Sequence, residues 1–315
     1  MTLLAFMAMK EVVVTWLSNL RHGKTYLLFK LAAVVLVTFN PLCLLADESP
    51  FANLERRLIE DGLDARLVQS IYQHPMVKLE LAVAAGNLIR SEATLDYGQF
   101  LSAYSVAKAE RYLRRHSHVL EEVEKRFGVP REIVVAVLMV ETALGTYPGK
   151  YLTINVLSTM AVARERGIQD EILSSLKAEQ RRMQSPEVIS RRLKKRAVRS
   201  YRELKALVNY IHKNDVDPFS LVGSSEGAIG IPQFLPSNIE SYGRDGDGDG
   251  RIDLFNHADA IASVAFYLRQ HRWRKARGTQ EKKRVLLRYN HSTYYVDTVY
   301  TLAQRLDRAE ASATP

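Results

Sequence analysis

Cysteine is almost missing from this sequence: of 315 residues, only Cys43 is one. A disulfide framework is therefore excluded, and stability must rest on a buried apolar core. Long apolar runs are missing too. The candidate, Leu31 to Phe39, is cut by Asn40-Pro41 and is short for a bilayer-crossing helix. Between residues 51 and 128 glycine and proline are sparse, so little there would break a helix. What remains, 47% hydrophobic and 25% charged, is a globular chain long enough for one large domain or two small ones.

Residues 1–46 differ from the rest. Arg21, Lys24 and Lys30 precede the apolar stretch, and Leu44-Leu45-Ala46 stands just before Asp47-Glu48. A basic n-region, a short h-region and a small-residue cleavage site describe a signal peptide cut after Ala46, with an uncleaved N-terminal anchor as the other reading. The n-region is long, which makes Met7 and Met9 alternative starts. Asn40-Pro41-Leu42 is a poor lipoprotein signal before Cys43, because small residues are wanted there. Either reading exports the protein to the periplasm or cell envelope. Without residues 1–46, 40 basic residues face 34 acidic ones, a net charge of +6 that suits cell wall or an anionic membrane surface. Arg181, Arg182, Arg191, Arg192, Lys194, Lys195, Arg196, Arg199 and Arg202 lie near Glu187 and Glu203. With export, that run reads as a solvated or wall-facing surface and not as a nucleic-acid site.

Helical periodicity runs through residues 51 to 128, in segments opening at Phe51, Ala65 and Tyr97 and then from Val106 to Phe127. No chemistry is visible in them. The next stretch, Val129 to Thr142, organises the chain. Pro130 and Glu132 are helix-start residues, and every position from Ile133 to Val140 is apolar. Glu141 therefore ends a buried element, with Gly145 and Gly149 in a turn behind it. Desolvation there raises a carboxyl pKa and makes a general acid; a solvated helix-terminal Glu is the alternative.

Ile154 to Val162 is a further apolar helix, and residues 163 to 212 form a charged helical hairpin. In Ser224-Ser225-Glu226-Gly227-Ala228-Ile229-Gly230-Ile231-Pro232-Gln233-Phe234-Leu235-Pro236 the glycines permit close backbone approach to a helix or a ligand. Ser224 and Gln233 are candidate sugar contacts, and Glu226 is a second, more solvated acid. Asp245, Asp247, Asp249 and Asp253 then occupy positions 1, 3, 5 and 9 of an EF-hand-like loop, with Gly250 at 6 and the Arg251 carbonyl at 7. Position 12 is Asn256 where a bidentate Glu is usual, and Asp259 closes the site if the loop is longer. A single unpaired loop reads as structural and not as a calcium sensor. Asp259 to Tyr267 starts a helix, and Arg274 to Lys283 reads as a short polar connector. Tyr289 and Asn290 can line a saccharide groove, His291 reads as structural, and a closing helix spans Val296 to Leu306.

Four features in this order resemble the lytic murein transglycosylase B family over most of residues 51–310. They are Glu141 with Gly145 and Gly149, the Ser224–Pro236 stretch, the long acidic loop 245–259, and Tyr289-Asn290-x-Ser292-x-x-Tyr295. The resemblance implies a mainly α, lysozyme-like (α+β) fold. Residues 47–128 would be an N-terminal helical region, 129–310 the catalytic core and 311–315 a disordered tail. It implies cleavage of the β-1,4 bond between N-acetylmuramic acid and N-acetylglucosamine without water, leaving 1,6-anhydromuramoyl ends. Glu141 matches the single catalytic acid and base. Ser224, Gln233, Tyr289 and Asn290 match groove residues, and Asp245, Asp247, Asp249, Arg251 and Asp259 match ligands of one structural calcium ion. No organic cofactor is implied, the partner is the peptidoglycan strand, and the expected state is a monomer. Two departures stand out: Leu144 replaces the usual aromatic three residues after Glu141, and the connector between Trp273 and Tyr289 is too short for the β-rich insertion of some relatives. A hydrolytic muramidase on the same fold and a non-catalytic, calcium-braced wall-binding protein are the competing functions.

Overall fold

The computed structural model describes residues 49–89, 96–177 and 185–313. The proposed signal peptide or anchor, Cys43, Arg181 and Arg182 lie outside them. Thirteen helices in the described residues are numbered here in chain order. The first five are α1 (Ala52–Glu60), α2 (Ala65–Tyr72), α3 (Leu81–Ile89), α4 (Ala103–Arg115) and α5 (Ser117–Phe127). They are followed by α6 (Arg131–Thr142), α7 (Thr153–Val162), α8 (Arg166–Ser174) and α9 (Pro186–Asn214). The last four are α10 (Pro236–Tyr242), α11 (His257–Gln270), α12 (Gly278–Tyr289) and α13 (Thr293–Ala313).

Helix α6 is the core. Ten of its twelve residues are buried, and it packs against α13, α4, α11 and α5. Such all-round burial is what an apolar run without a polar face demands. Pro130 sits at the N-cap, φ −56° and ψ 137°, one place before the first helical residue. Glu132 follows in the first turn, where a carboxylate meets the positive end of the helix. The second layer is α9, laid along α7 and α10. Its start is specified locally: Ser185 accepts from the Val188 N–H, Pro186 occupies the first turn, and Glu187 adds negative charge.

The only sheet among the described residues pairs β1 (Tyr151–Leu152) antiparallel with β2 (Val222–Gly223), Tyr151 opposite Gly223 and Leu152 opposite Val222. Two isolated bridges, Gly223 to Ile229 and Ile229 to Phe234, extend it. This small patch fastens the segment after Glu141 to the glycine-rich stretch. Its closeness requires glycine. A Cβ on Gly149 would lie 2.1 Å from the Gly223 carbonyl, and one on Gly223 would lie 2.2 Å from the Ala228 oxygen.

The fold class agrees with the mainly α expectation, but four local readings change. The helical run from Val106 to Phe127 breaks at His116. The residues read as a polar connector are mostly helix, because α12 begins at Gly278. Helix α10 has no counterpart among the segments expected from sequence; Pro236 starts it. Helix α13 continues to Ala313, into the residues expected as a tail, since Ala309, Ala311 and Ala313 are strong helix formers.

Candidate active site

Glu141 stands on the last turn of α6, partly open to solvent, with buried residues on both sides along the helix. Beyond it the chain turns sharply through three consecutive left-handed residues, Ala143 (φ 48°), Leu144 (φ 60°) and Gly145 (φ 84°). The Leu144 N–H reaches back to the Leu138 carbonyl at 3.0 Å and the Ala143 N–H to Met139 at 2.9 Å, which caps the helix. Two non-glycine residues in this conformation are strained. The turn is held by Thr142 Oγ1, which donates to the Ile231 carbonyl (2.8 Å) and accepts from the Gly145 N–H (2.9 Å). Lys108 Nζ adds bonds to the Ala143 carbonyl (2.9 Å) and to Thr146 Oγ1 (2.7 Å).

The Glu141 side chain has one side-chain partner. Tyr295 Oη donates to Glu141 Oε1 at 2.7 Å. Tyr295 is itself buried, 2% exposed, and its ring lies parallel to that of Tyr289 at 6.4 Å. Burial pushes the Glu141 carboxyl up to about 7, and the Tyr295 hydrogen bond only partly opposes this. A group with that value holds a proton on about half the molecules at neutral pH and can both give and take one. Tyr295 belongs to the sequence motif around Tyr289 but carried no role of its own there. Only its place six residues beyond Tyr289 marked it.

Of the four groove residues predicted from sequence, Tyr289 lies beside the Glu141–Tyr295 pair, and each of the four uses a polar group on the protein. Gln233 Nε2 donates to the carbonyls of Pro148 (2.8 Å) and Gly230 (2.9 Å), from a left-handed backbone, φ 50°. Tyr289 Oη donates to the Pro232 carbonyl at 2.6 Å, its ring set edge-on to Tyr267 at 4.9 Å. Ser224 Oγ accepts from the N–H groups of Glu226 (3.3 Å) and Ala228 (3.1 Å). Asn290 Oδ1 accepts from the Ser292 N–H at 3.1 Å. Leu144 turns inward and is buried, whereas Tyr147 is 75% exposed. Tyr147 lines a depression of about 300 Å³ with Lys150, Tyr151 and Ser224.

Glu226 lines a different hollow. It is exposed and ion-paired with Arg196 of α9 at 3.0 Å, in a hollow shared with Met160, Glu203 and Leu235.

Of the predicted calcium ligands, the fold gathers Asp245, Asp247 and Asp259, with carboxylate oxygens within 4.8 Å of one another; the Asp249 carboxylate is not in that group. Asp259, 2% exposed, accepts from the Gly246 N–H (2.7 Å) and the Asp253 N–H (2.6 Å). Burial, with repulsion from Asp247 and Asp245, raises its pKa despite those bonds. A buried carboxyl crowded by two others fits a hard cation, which would relieve the repulsion. Asn256, at the position where a bidentate Glu is usual, caps α11 and donates to Asp247 Oδ2 at 2.6 Å. The loop also braces the site. Leu254 accepts from the Ile231 N–H at 2.8 Å, and Gly230 comes so close that a Cβ there would lie 2.5 Å from Leu254 Cβ.

Comparison with known proteins agrees with this architecture. Over 177 residues the chain is 29% identical to membrane-bound lytic murein transglycosylase B of Escherichia coli (strain K12). That match covers 56% of this chain and 41% of the relative, so the chain spans well under half of that protein. The soluble lytic transglycosylase SltB1 of Pseudomonas aeruginosa superposes with a TM-score of 0.65 at 23% identity, covering 82% of this chain and 98% of that one. The Escherichia coli lytic transglycosylase SLT35 in complex with calcium superposes with a TM-score of 0.63 at 24% identity, covering 83% and 95%. Among the described residues no helix is long and apolar enough to cross a membrane. The family model described as Transglycosylase SLT domain matches residues 46–282, and the chain belongs to that family.

Proposed function

We propose that the protein is an exported lytic transglycosylase that cleaves the β-1,4 bond between N-acetylmuramic acid and N-acetylglucosamine in peptidoglycan, with Glu141 as its one acid and base. The observation that carries this reading is a single, largely desolvated carboxyl, poised near pH 7, at the end of the core helix. Protonated Glu141 gives its proton to the bridging oxygen as the bond from C1 breaks. The carboxylate then takes the proton of the same sugar's 6-hydroxyl, whose oxygen closes on C1. The product is a 1,6-anhydromuramoyl end, and no water is consumed. The partner expected to stabilise the positive C1 is the substrate's own N-acetyl group. A muramidase ordinarily needs a second carboxylate across the bond, and the salt bridge of Glu226 to Arg196 speaks against that residue filling the role.

Gln233 Oε1 and Asn290 Nδ2, which have no protein partner among the described residues, are the atoms assigned to bond the glycan. The Tyr289 ring and the Ser224 turn shape its bed. Asp245, Asp247 and Asp259, with Asp249 and the Arg251 carbonyl from the loop pattern, would hold one calcium ion, whose contribution is to fix the loop and hence Ile231. The working form is taken to be a monomer, cleaved after Ala46 or anchored by its N-terminus. The net positive charge supports association with wall or membrane surfaces.

The test is digestion of purified sacculi by the protein and by Glu141→Gln, with the muropeptide ends read by mass spectrometry. Anhydro ends are expected from the first, and a loss of at least about 100-fold in rate from the second. Release that survives the substitution would remove Glu141 from the mechanism.

A further inference from the structure

Among the described residues, one charged side chain bonds the turn behind Glu141, and it comes from a different helix. Lys108 Nζ donates to the Ala143 carbonyl at 2.9 Å and to Thr146 Oγ1 at 2.7 Å. Thr146 Oγ1 donates in turn to the same Ala143 carbonyl at 2.9 Å, which closes a ring of three bonds. No carboxylate lies within 4.0 Å of the Lys108 ammonium among the described residues. The cation is therefore committed to two neutral oxygens of the turn and not to an ion pair.

The turn needs such a tie. Ala143 and Leu144 hold left-handed backbone without being glycine, a conformation that persists only where the surroundings over-determine it. Thr142 fixes the turn from its buried side through the Ile231 carbonyl, and Lys108 fixes it from the solvent side. A cation is also favoured there, at the negative end of α6. Water can take over an accessible carbonyl when Lys108 is removed, so the fold tolerates the loss. Water does not hold the turn to one geometry.

Lys108 stands on a fixed base. Its neighbours Ser105, Ala109 and Tyr112 on α4 are buried, and α4 packs against both α6 and α13. Those two helices carry Glu141 and its partner Tyr295, so Lys108 ties the turn to the frame that aligns the 2.7 Å bond between them. Burial and that bond account for the state of the Glu141 carboxyl, with no charged neighbour contributing among the described residues. Lys108 is thus placed to act on Glu141 through position and not through its charge.

We infer that Lys108 is a positioning residue of the reaction: by clamping Ala143 and Thr146 it holds Glu141 where it can give and then take the proton. This rests on the proposed function, which makes Glu141 the acid and base.

The test is sacculus digestion over a range of sacculus concentrations by the full-length protein, Lys108→Met, Lys108→Gln, Lys108→Arg and Glu141→Gln. Rates are expressed per folded molecule, with folding followed by circular dichroism and Tm. Misplacing a reacting group by about 1 Å can cost about 100-fold, so the Met and Gln variants should lose about 10- to 100-fold in kcat with apparent KM within about twofold. Lys108→Arg keeps the charge and the donors and should recover at least about threefold of that loss. A kcat per folded molecule unchanged in the Met and Gln variants, whatever their Tm, would overturn the inference and leave Lys108 a brace of the fold alone. A raised KM with kcat intact would overturn it in favour of contact with the glycan. Full activity in Glu141→Gln would overturn the proposed function itself, and this inference with it.

Discussion

Glu141 and Asp259 are both carboxyls drawn away from water, one at the C-terminal end of a buried helix and the other in the first turn of another. Their neighbours differ. Asp259 receives two backbone N–H donors, sits where the helix dipole favours an anion, and faces Asp245 and Asp247. Glu141 receives one hydroxyl, sits where the dipole disfavours an anion, and among the described residues has no charged neighbour that shifts its pKa. Crowded acids with amide donors call for a metal ion. A lone acid without such donors calls for a proton.

The largest effect should come from taking the cation away. If the loop holds calcium at about 100 times its dissociation constant, binding stabilises the fold by ~2.7 kcal/mol. Chelation should then lower the Tm by roughly 5–10 °C in a domain of this size. Asp259→Asn should have a lower Tm from the start and show no response to chelator. An unchanged Tm in the parent protein would break the metal half of the comparison.

The proton half is sharpened by stability against pH. Glu141 titrates near 7 in the folded protein and near 4.5 when unfolded, so the native state binds the extra proton between those values. Its contribution is therefore fully present below about 4.5 and is lost as the pH rises through about 7. Glu141→Gln removes that loss. The variant should exceed the parent in unfolding free energy at pH 8 by on the order of 1–3 kcal/mol, and the advantage should vanish at pH 4. An advantage independent of pH would mean that the carboxyl is not desolvated. The smallest effect is expected at Glu226. Its salt bridge to Arg196 is solvent-exposed, so Glu226→Gln should change stability by less than about 1 kcal/mol and leave sacculus digestion intact.

The acidic loop and the core helix were the most legible parts of the sequence. Alternating Asp and Gly residues spell out the loop that gathers Asp245 and Asp247, and an apolar run closed by Glu141 spells out a buried helix. What could not be read was decided by tertiary partners. Tyr295 became the partner of Glu141 only when α13 packed against α6. Ser224 and Gln233 were read as sugar contacts, yet their observed bonds close turns, because a tight glycine-rich loop leaves backbone groups that must be satisfied. The short connector looked featureless for a related reason. Its residues from Gly278 onward are helix, packed on α13, which a polar stretch does not announce.

In the proposed reaction one carboxyl does the work of two and no water enters the bond. Sacculi digested in water enriched in heavy oxygen test it most directly. The account predicts 1,6-anhydromuramoyl ends carrying no heavy oxygen. Reducing ends labelled at C1 would contradict it and make the protein a hydrolase.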